Sequence, residues 1–199
     1  MIKNRFDFLW YREKMRVGIL GGTFNPPHLG HLILAEEVRE KLNLDKVFFI
    51  PTNMPPHKDT ESVSSWHRFN MVKLSIESNP YFEVLDLEIK RGGVSFTIDT
   101  VKELKSKFPR DDFYLIVGSD LASTFSTWKD FDELKNLVKI IVAEREKYPY
   151  QSEDFIVISI TQIDVSSSEI RKMVKEGRSI RYLVKEKVFK YIKKHRIYK

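Results

Sequence analysis

Six short apolar runs, each followed by a loop or a stretch of helical period, limit how this chain can fold. They are Arg16–Gly21, Val47–Ile50, Phe82–Leu87, Phe113–Val117, Val138–Ala143 and Phe155–Ile160. A strand that is apolar at nearly every position is buried on both faces, and strands alternating with amphipathic helices make parallel crossovers. From His28 to Leu42 the apolar residues Leu32, Ala35, Val38 and Leu42 recur three or four apart, while Glu36, Glu37, Arg39 and Glu40 face water. His67–Ser78 and Thr97–Phe108 read as further helices, the second with Thr97 as its cap, and helical sequence runs through Trp128 to about Leu137. Ser166 and Glu169 have capping-box spacing, Gly177 is a helix stop, and a last basic helix covers about Leu183–His195. The pattern predicts an α/β protein with a Rossmann-like, doubly wound parallel sheet, in a single domain with a C-terminal helical segment. Ligands of such sheets bind beyond the carboxyl ends of the strands. The loops Gly21-Gly22, Pro51–Lys58, Gly118–Asp120 and Ser166–Arg171 are therefore expected to converge.

Composition removes other classes. The 199 residues contain no cysteine, which excludes a disulfide scaffold and every Cys-ligated metal or cluster site. No run of 18 apolar residues is present, so no membrane-spanning helix is expected. Residues 1–14 mix charged residues with Phe6, Phe8, Leu9 and Trp10 and lack the apolar stretch of a signal peptide. They read as an N-terminal extension, upstream of a natural start at Met15 or peripheral to the domain. With no targeting signal, the expected location is the cytoplasm. The net charge of +6 is uneven: residues 171–199 carry +10 and residues 1–170 carry −4. A basic segment of that kind serves as a solvated face, as an attractor of phosphate or as a nucleic-acid tail.

The block Gly21-Gly22-Thr23-Phe24-Asn25-Pro26-Pro27-His28-Leu29-Gly30-His31 carries the most chemistry. Two glycines after a strand let backbone approach a ligand closely. Asn25 reads as the helix cap, with the prolines at the first helical positions. A helix N-terminus offers unpaired amides and a positive dipole end to an anion. His28 and His31, three apart, share one face of the first turn, with Gly30 leaving room between them. No Rossmann G-x-G-x-x-G and no Gly-Lys-Ser/Thr of a Walker loop is present.

This block resembles the T/H-x-G-H signature of the adenylyl- and cytidylyltransferase superfamily. Its form is similar to that of the bacterial nicotinate-nucleotide adenylyltransferases. The likeness continues through Pro51–Lys58 (P-T-N-M-P-P-H-K), His67–Met71 (H-R-F-N-M), Phe96–Thr100 (F-T-I-D-T), Gly118-Ser119-Asp120 with Trp128, and Ser166–Arg171 (S-S-S-E-I-R). The resemblance implies that residues 15–199 form a nucleotidyltransferase domain. Its reaction would join ATP to nicotinate mononucleotide with release of pyrophosphate, in NAD biosynthesis. It assigns His28, His31 and Arg171 to catalysis, and Gly21, Gly22, Thr23, Phe24, Gly118, Asp120, Arg145, Ser167 and Ser168, with the catalytic three, to ATP. It assigns Thr23, Lys58, Thr97 and Trp128 to the nicotinate nucleotide, Trp128 by stacking on the pyridine ring and Thr97 by helix-end amides facing its carboxylate. Magnesium would arrive with ATP, with no protein ligands. Substrates would be these two nucleotides, with neither nucleic acid nor membrane as partner. The sequence departs from the family at Glu146 and Lys185, where proline is usual, and at Ser168, where threonine is usual. Two alternatives stay open at this point: a sibling acting on nicotinamide mononucleotide or phosphopantetheine, and a non-catalytic nucleotide or RNA binder using the basic C-terminus.

Overall fold

The computed structural model describes residues 13–56, 63–144 and 149–199. Of the expected N-terminal extension, only Glu13 and Lys14 fall among them. Strands β1 (Arg16–Gly22), β2 (Lys46–Pro51), β3 (Phe82–Val84), β4 (Asp112–Gly118), β5 (Lys139–Glu144) and β6 (Ile156–Ser159) form one sheet in the order 3-2-1-4-5-6. Every pairing is parallel. The doubly wound sheet expected from the alternation is therefore present. Its strand order reverses between β1 and β4, the crevice where such sheets take ligands.

The two faces follow from the two-residue period of the strands. Val17, Ile19, Phe48, Ile50, Phe113, Leu115, Val117, Ile140 and Val142 point to one side. There they meet α3 (Leu87–Arg91), α4 (Thr97–Lys107), α5 (Ser119–Ala122) and α6 (Phe131–Leu137). Leu20, Val47, Phe49, Tyr114, Ile116, Ile141 and Ala143 point to the other, against α1 (Leu29–Lys41) and α2 (Ser65–Ile76). Gly18 sits where a Cβ would stand 2.9 Å from Ile116 Cδ1 of β4 and 3.1 Å from Leu44 Cδ1, so β4 and the loop after α1 close tightly on β1. A third apolar cluster lies off the sheet: Met71 of α2, Ile170 of α7 (Ser167–Lys175), Val188, Phe189 and Ile192 of α8 (Glu186–Lys194), with Ile197 and Tyr198. Among the described residues no helix is long and apolar enough to cross a membrane.

Several local expectations are corrected. Asn25 does not cap α1; the N-cap is His28, and the Asn25 side chain is engaged elsewhere. Thr97 is the first helical residue of α4, and its N-cap is Phe96. The run Phe82–Leu87 is strand only to Val84, after which Leu87 opens a short helix that buries Leu87, Glu88 and Ile89. The helix expected through Trp128 is broken into α5, a 3-10 turn at Phe125–Thr127 and α6. There the Thr124 and Thr127 hydroxyls bond back to the Leu121 and Thr124 carbonyls, a local competition that interrupts helices. Helix α2 begins earlier than its apolar pattern shows, because Ser64 caps it by accepting from the His67 amide. Of the Ser166–Glu169 box, the Ser166 half forms, accepting from the Glu169 amide at 3.1 Å.

A buried carboxyl joins α3 to α4. Glu88 is 5% exposed, and its Oε1 accepts from Thr100 Oγ1 at 2.6 Å. Burial pushes its pKa above the ordinary carboxylate range, against the opposing pull of hydrogen bonds from Thr100 and Ser95 and the charges of Arg91 and Arg68. A carboxyl whose folded pKa is raised stabilises the fold when protonated. That contribution is complete below its unfolded pKa and is lost as pH rises through the folded value. Glu88→Gln keeps an acceptor for Thr100 and cannot ionise. The stability of this variant relative to the parent, read from urea midpoints, is therefore expected to improve between pH 4 and pH 7. A difference that stays constant across that range would contradict the assignment.

Candidate functional site

The chain leaves β1 at Gly22 and does not enter α1 until Leu29, so residues 23–28 cross the mouth of the crevice without regular structure. Phe24 is 2% exposed although its φ is +48°, a conformation costly for an aromatic residue. Its ring packs edge-on to His31 (centroids 5.0 Å) and near Phe49 (5.9 Å). A Cβ on Gly22 would press on that ring at 3.3 Å, whereas a Cβ on Gly21 would stand in open space. Nothing among the described residues demands glycine at position 21, and the bare backbone there faces open space. Phe24 itself belongs to the core, so only its backbone is offered to the crevice.

His28 and His31 face one another with ring centroids 3.7 Å apart. The backbone N–H of His28 donates to His31 Nδ1 at 3.1 Å. With Nδ1 taken as the acceptor, the neutral ring carries its proton on Nε2. His28 is 8% exposed. A Cβ on Gly30 would lie 3.2 Å from His28 Nδ1 and 3.3 Å from Val165 Cγ1. A side chain at 30 would therefore make the His28 ring or Val165 give way by a few tenths of an ångström.

The loop carbonyls are captured by donors from distant elements. Arg68 is 1% exposed. Its Nη1 donates to the Thr23 carbonyl at 2.8 Å and its Nη2 to the Asn53 carbonyl at 2.9 Å, tying the loop after β1 to the loop after β2. Burial pulls the Arg68 pKa down, partly offset by Glu88 and Tyr198. Arg171 Nη1 donates to the Asn25 carbonyl at 3.0 Å, and Nη2 reaches Ser168 Oγ at 3.4 Å. Ser167 Oγ donates to the Pro26 carbonyl at 2.8 Å. The Tyr198 hydroxyl donates to Asn25 Oδ1 at 2.6 Å. The start of α7, bearing Ser167, Ser168 and Arg171, therefore lies directly against the loop bearing the histidines. Since the Ser167 hydroxyl is spent on Pro26, the helix-end amides are what that residue offers an anion.

Gly118 ends β4 and is the N-cap of α5, which carries Asp120 in its first turn. Because β1 and β4 are neighbours, Gly118–Asp120 and Gly21–Phe24 flank the same crevice. On the other side, Asn53 binds the segment before α4. Its amide donates to Ser95 Oγ at 2.9 Å and its Nδ2 to the Gly93 carbonyl at 2.9 Å. Asp99 and Thr100 bond back to the Phe96 carbonyl, which leaves the Thr97 and Ile98 amides at the open end of α4. Trp128 comes to the same end, because Lys129 pairs with Asp99 at 3.2 Å and lies over the Phe96 ring at 4.8 Å. Trp128 is half-buried against Phe125 and donates Nε1 to Thr124 Oγ1 at 3.1 Å. Lys58 and Arg145 lie outside the described residues. Arg68, Asn53 and Ser95 were not singled out as anchors in the sequence, where a buried arginine looks like any surface one. The sequence signal that could have found Arg68 is its place on the buried stripe of α2, three residues before Met71.

Among the described residues no group of three or more His, Asp or Glu is placed to hold a metal ion. What converges instead is a set of donors: two imidazoles, loop and helix-end amides, and the Arg171 guanidinium, while Arg68 is buried on the Thr23 and Asn53 carbonyls. Such a set suits a phosphate chain.

The cytidylyltransferase-like family model matches residues 19–173. A protein of Oceanobacillus iheyensis named probable nicotinate-nucleotide adenylyltransferase is 43% identical over 185 residues, covering 92% of this chain and 96% of that protein. Its namesake from Lactiplantibacillus plantarum is 46% identical, covering 92% of this chain and 88% of that protein. The solved structure of Plasmodium falciparum nicotinic acid mononucleotide adenylyltransferase, complexed with NaAD, superposes with a TM-score of 0.79 at 22% identity, covering 94% of this chain and 98% of that one, a likeness of fold. Identity above 40% over 92% of the chain, with a family model that matches residues 19–173, shows that the chain belongs to the nicotinate-nucleotide adenylyltransferases of the cytidylyltransferase-like family.

Proposed function

We propose that this protein transfers the adenylyl group of ATP to nicotinate mononucleotide, giving nicotinate adenine dinucleotide and pyrophosphate. The observation that carries the reading is the His28–His31 pair, fixed on the loop at the β1/β4 crevice with its donor edge set by the His28 amide. A phosphate oxygen of nicotinate mononucleotide attacks the α-phosphorus of ATP. The bond from that phosphorus to the bridging oxygen breaks, and pyrophosphate departs with the electron pair. No covalent bond to the protein is required, so positioning and charge stabilisation do the work.

In this reading His28 and His31 donate to the α-phosphate and to the bridging oxygen as charge grows on it. The backbone of Gly21, Gly22, Thr23 and Phe24 lies along the phosphates. The amides of Ser167 and Ser168 at the start of α7, with the Arg171 guanidinium beside them, receive the β- and γ-phosphates. Asp120, beside Gly118, accepts from a ribose of ATP, and Arg145 serves the adenine side. The nicotinate ring lies on Trp128, and its carboxylate faces the open amides of α4 at Thr97, which favours the acid over the amide. Thr23 and Lys58 meet the phosphate of that nucleotide. Magnesium enters as part of the ATP substrate, held by phosphate oxygens and water, as suits an ion that sheds water reluctantly. The setting is the cytoplasm.

Incubating the protein with ATP and, in parallel, nicotinate mononucleotide, nicotinamide mononucleotide and phosphopantetheine tests the reading. Pyrophosphate release is expected with the first and far less with the others. Turnover of phosphopantetheine alone, or of none, would overturn it. His28→Ala is expected to lower kcat by about a hundredfold, the loss of ~3 kcal/mol typical of one preorganised donor; unchanged pyrophosphate release would remove His28 from the mechanism. Gly30→Ala drives a methyl into the His28 ring and is expected to lower kcat about tenfold while the sheet stays folded, as shown by its far-ultraviolet dichroism. Full activity in this variant would show that the ring has freedom the packing denies it.

A further inference from the structure

The basic C-terminal segment ends in a feature that neither the phosphate chemistry nor the charge accounts for. Ile197 and Tyr198 are 6% and 8% exposed, folded back into the third apolar cluster. Arg196 and Tyr198 have φ of +51° and +69°, left-handed values uncommon outside glycine. Backbone of that kind persists where surrounding contacts over-determine it. The contact it delivers is polar: the Tyr198 hydroxyl donates to Asn25 Oδ1 at 2.6 Å, across 173 residues of sequence and out of water. A phenylalanine would fill the same apolar space, so packing does not explain the hydroxyl. Asn25 stands three residues before His28. Arg171 holds its carbonyl, Ser167 holds the next carbonyl, and the Leu29 amide donates to the Leu183 carbonyl at 2.9 Å. Tyr198 bonds the Asn25 side chain, where Arg171 and Ser167 take backbone carbonyls.

We propose that Tyr198 is a positioning residue for adenylyl transfer: its hydroxyl, through Asn25, fixes the path of the loop that sets the angle and spacing of His28 and His31. The proposal rests on the function given above. It also explains why asparagine at 25 need not cap α1: its oxygen is an acceptor for the tail. Aspartate at this position would accept the same bond.

Tyr198→Phe removes one oxygen atom and tests this in the full-length protein. It is expected to lower kcat about tenfold, with both KM values within about twofold of the parent and a melting temperature lowered by only a few degrees. Asn25→Ala is expected to show the same loss, the double variant no further loss, and Asn25→Asp near-parental kcat, since the bond is then retained. The ring ¹⁵N shifts of His28 and His31, read by NMR without substrate, are expected to move in Tyr198→Phe. Parental kcat in Tyr198→Phe, or losses that add in the double variant, would overturn the proposal. So would unmoved His28 and His31 shifts, and these remain decisive even if the parent protein transfers no adenylyl group to nicotinate mononucleotide, a result that would refute the function itself.

Discussion

Backbone that belongs neither to a sheet nor to a helix must find its hydrogen bonds elsewhere, and the stretch from Thr23 to His28 is such backbone. It lies at the switch between β1 and β4, where the fold places ligands. Its carbonyls are satisfied by Arg68 from α2 and by Ser167 and Arg171 from α7. This arrangement does two things together. It fixes the histidines on a rigid support, and it engages the Thr23, Asn25 and Pro26 carbonyls with protein donors. The rigidity of the site is thus imported from α2 and α7, which lie far from the loop in sequence.

That dependence gives a second meaning to the uneven charge. The last 29 residues carry +10, and Arg171 at their start reaches the loop, in keeping with a phosphate-facing role. Their apolar residues do separate work. Val188, Phe189, Ile192, Ile197 and Tyr198 build, with Met71 and Ile170, a cluster that presses α7 and the tail against the signature loop. Many of the lysines pair at the surface, as Lys187 does with Glu77 and Lys190 with Glu186, where such pairs contribute little stability.

The sheet was legible in the sequence because strands buried on both faces write an apolar run that survives any detail of packing. Val47–Ile50 and Phe113–Val117 are such runs, and both are strands. Phe82–Leu87 misled because it sits at the sheet edge, where pairing ends after three residues and Leu87–Ile89 gain more burial as a helical turn. The break before Trp128 was hidden because threonine hydroxyls choose between solvent and their own backbone according to tertiary context. In the site, the resemblance carried by the ordered motifs pointed to the histidine loop and the start of α7. Arg68, Asn53 and Tyr198 stayed invisible. Their roles consist of long-range bonds to backbone or to Asn25, and no local pattern encodes a partner 45 or 173 residues away.

In the proposed reading the donors of the site meet a phosphate chain, and its two imidazoles donate rather than attack. The account therefore requires direct displacement at phosphorus, with the acceptor phosphate entering opposite to departing pyrophosphate. The most direct measurement is the stereochemical course at the α-phosphorus, using ATP made chiral there with sulfur and nicotinate mononucleotide as acceptor. A single in-line displacement predicts inversion of configuration in the dinucleotide product. Retention would mean two successive displacements through an adenylylated side chain, with His28 or His31 as the nucleophile, and would contradict the positioning mechanism.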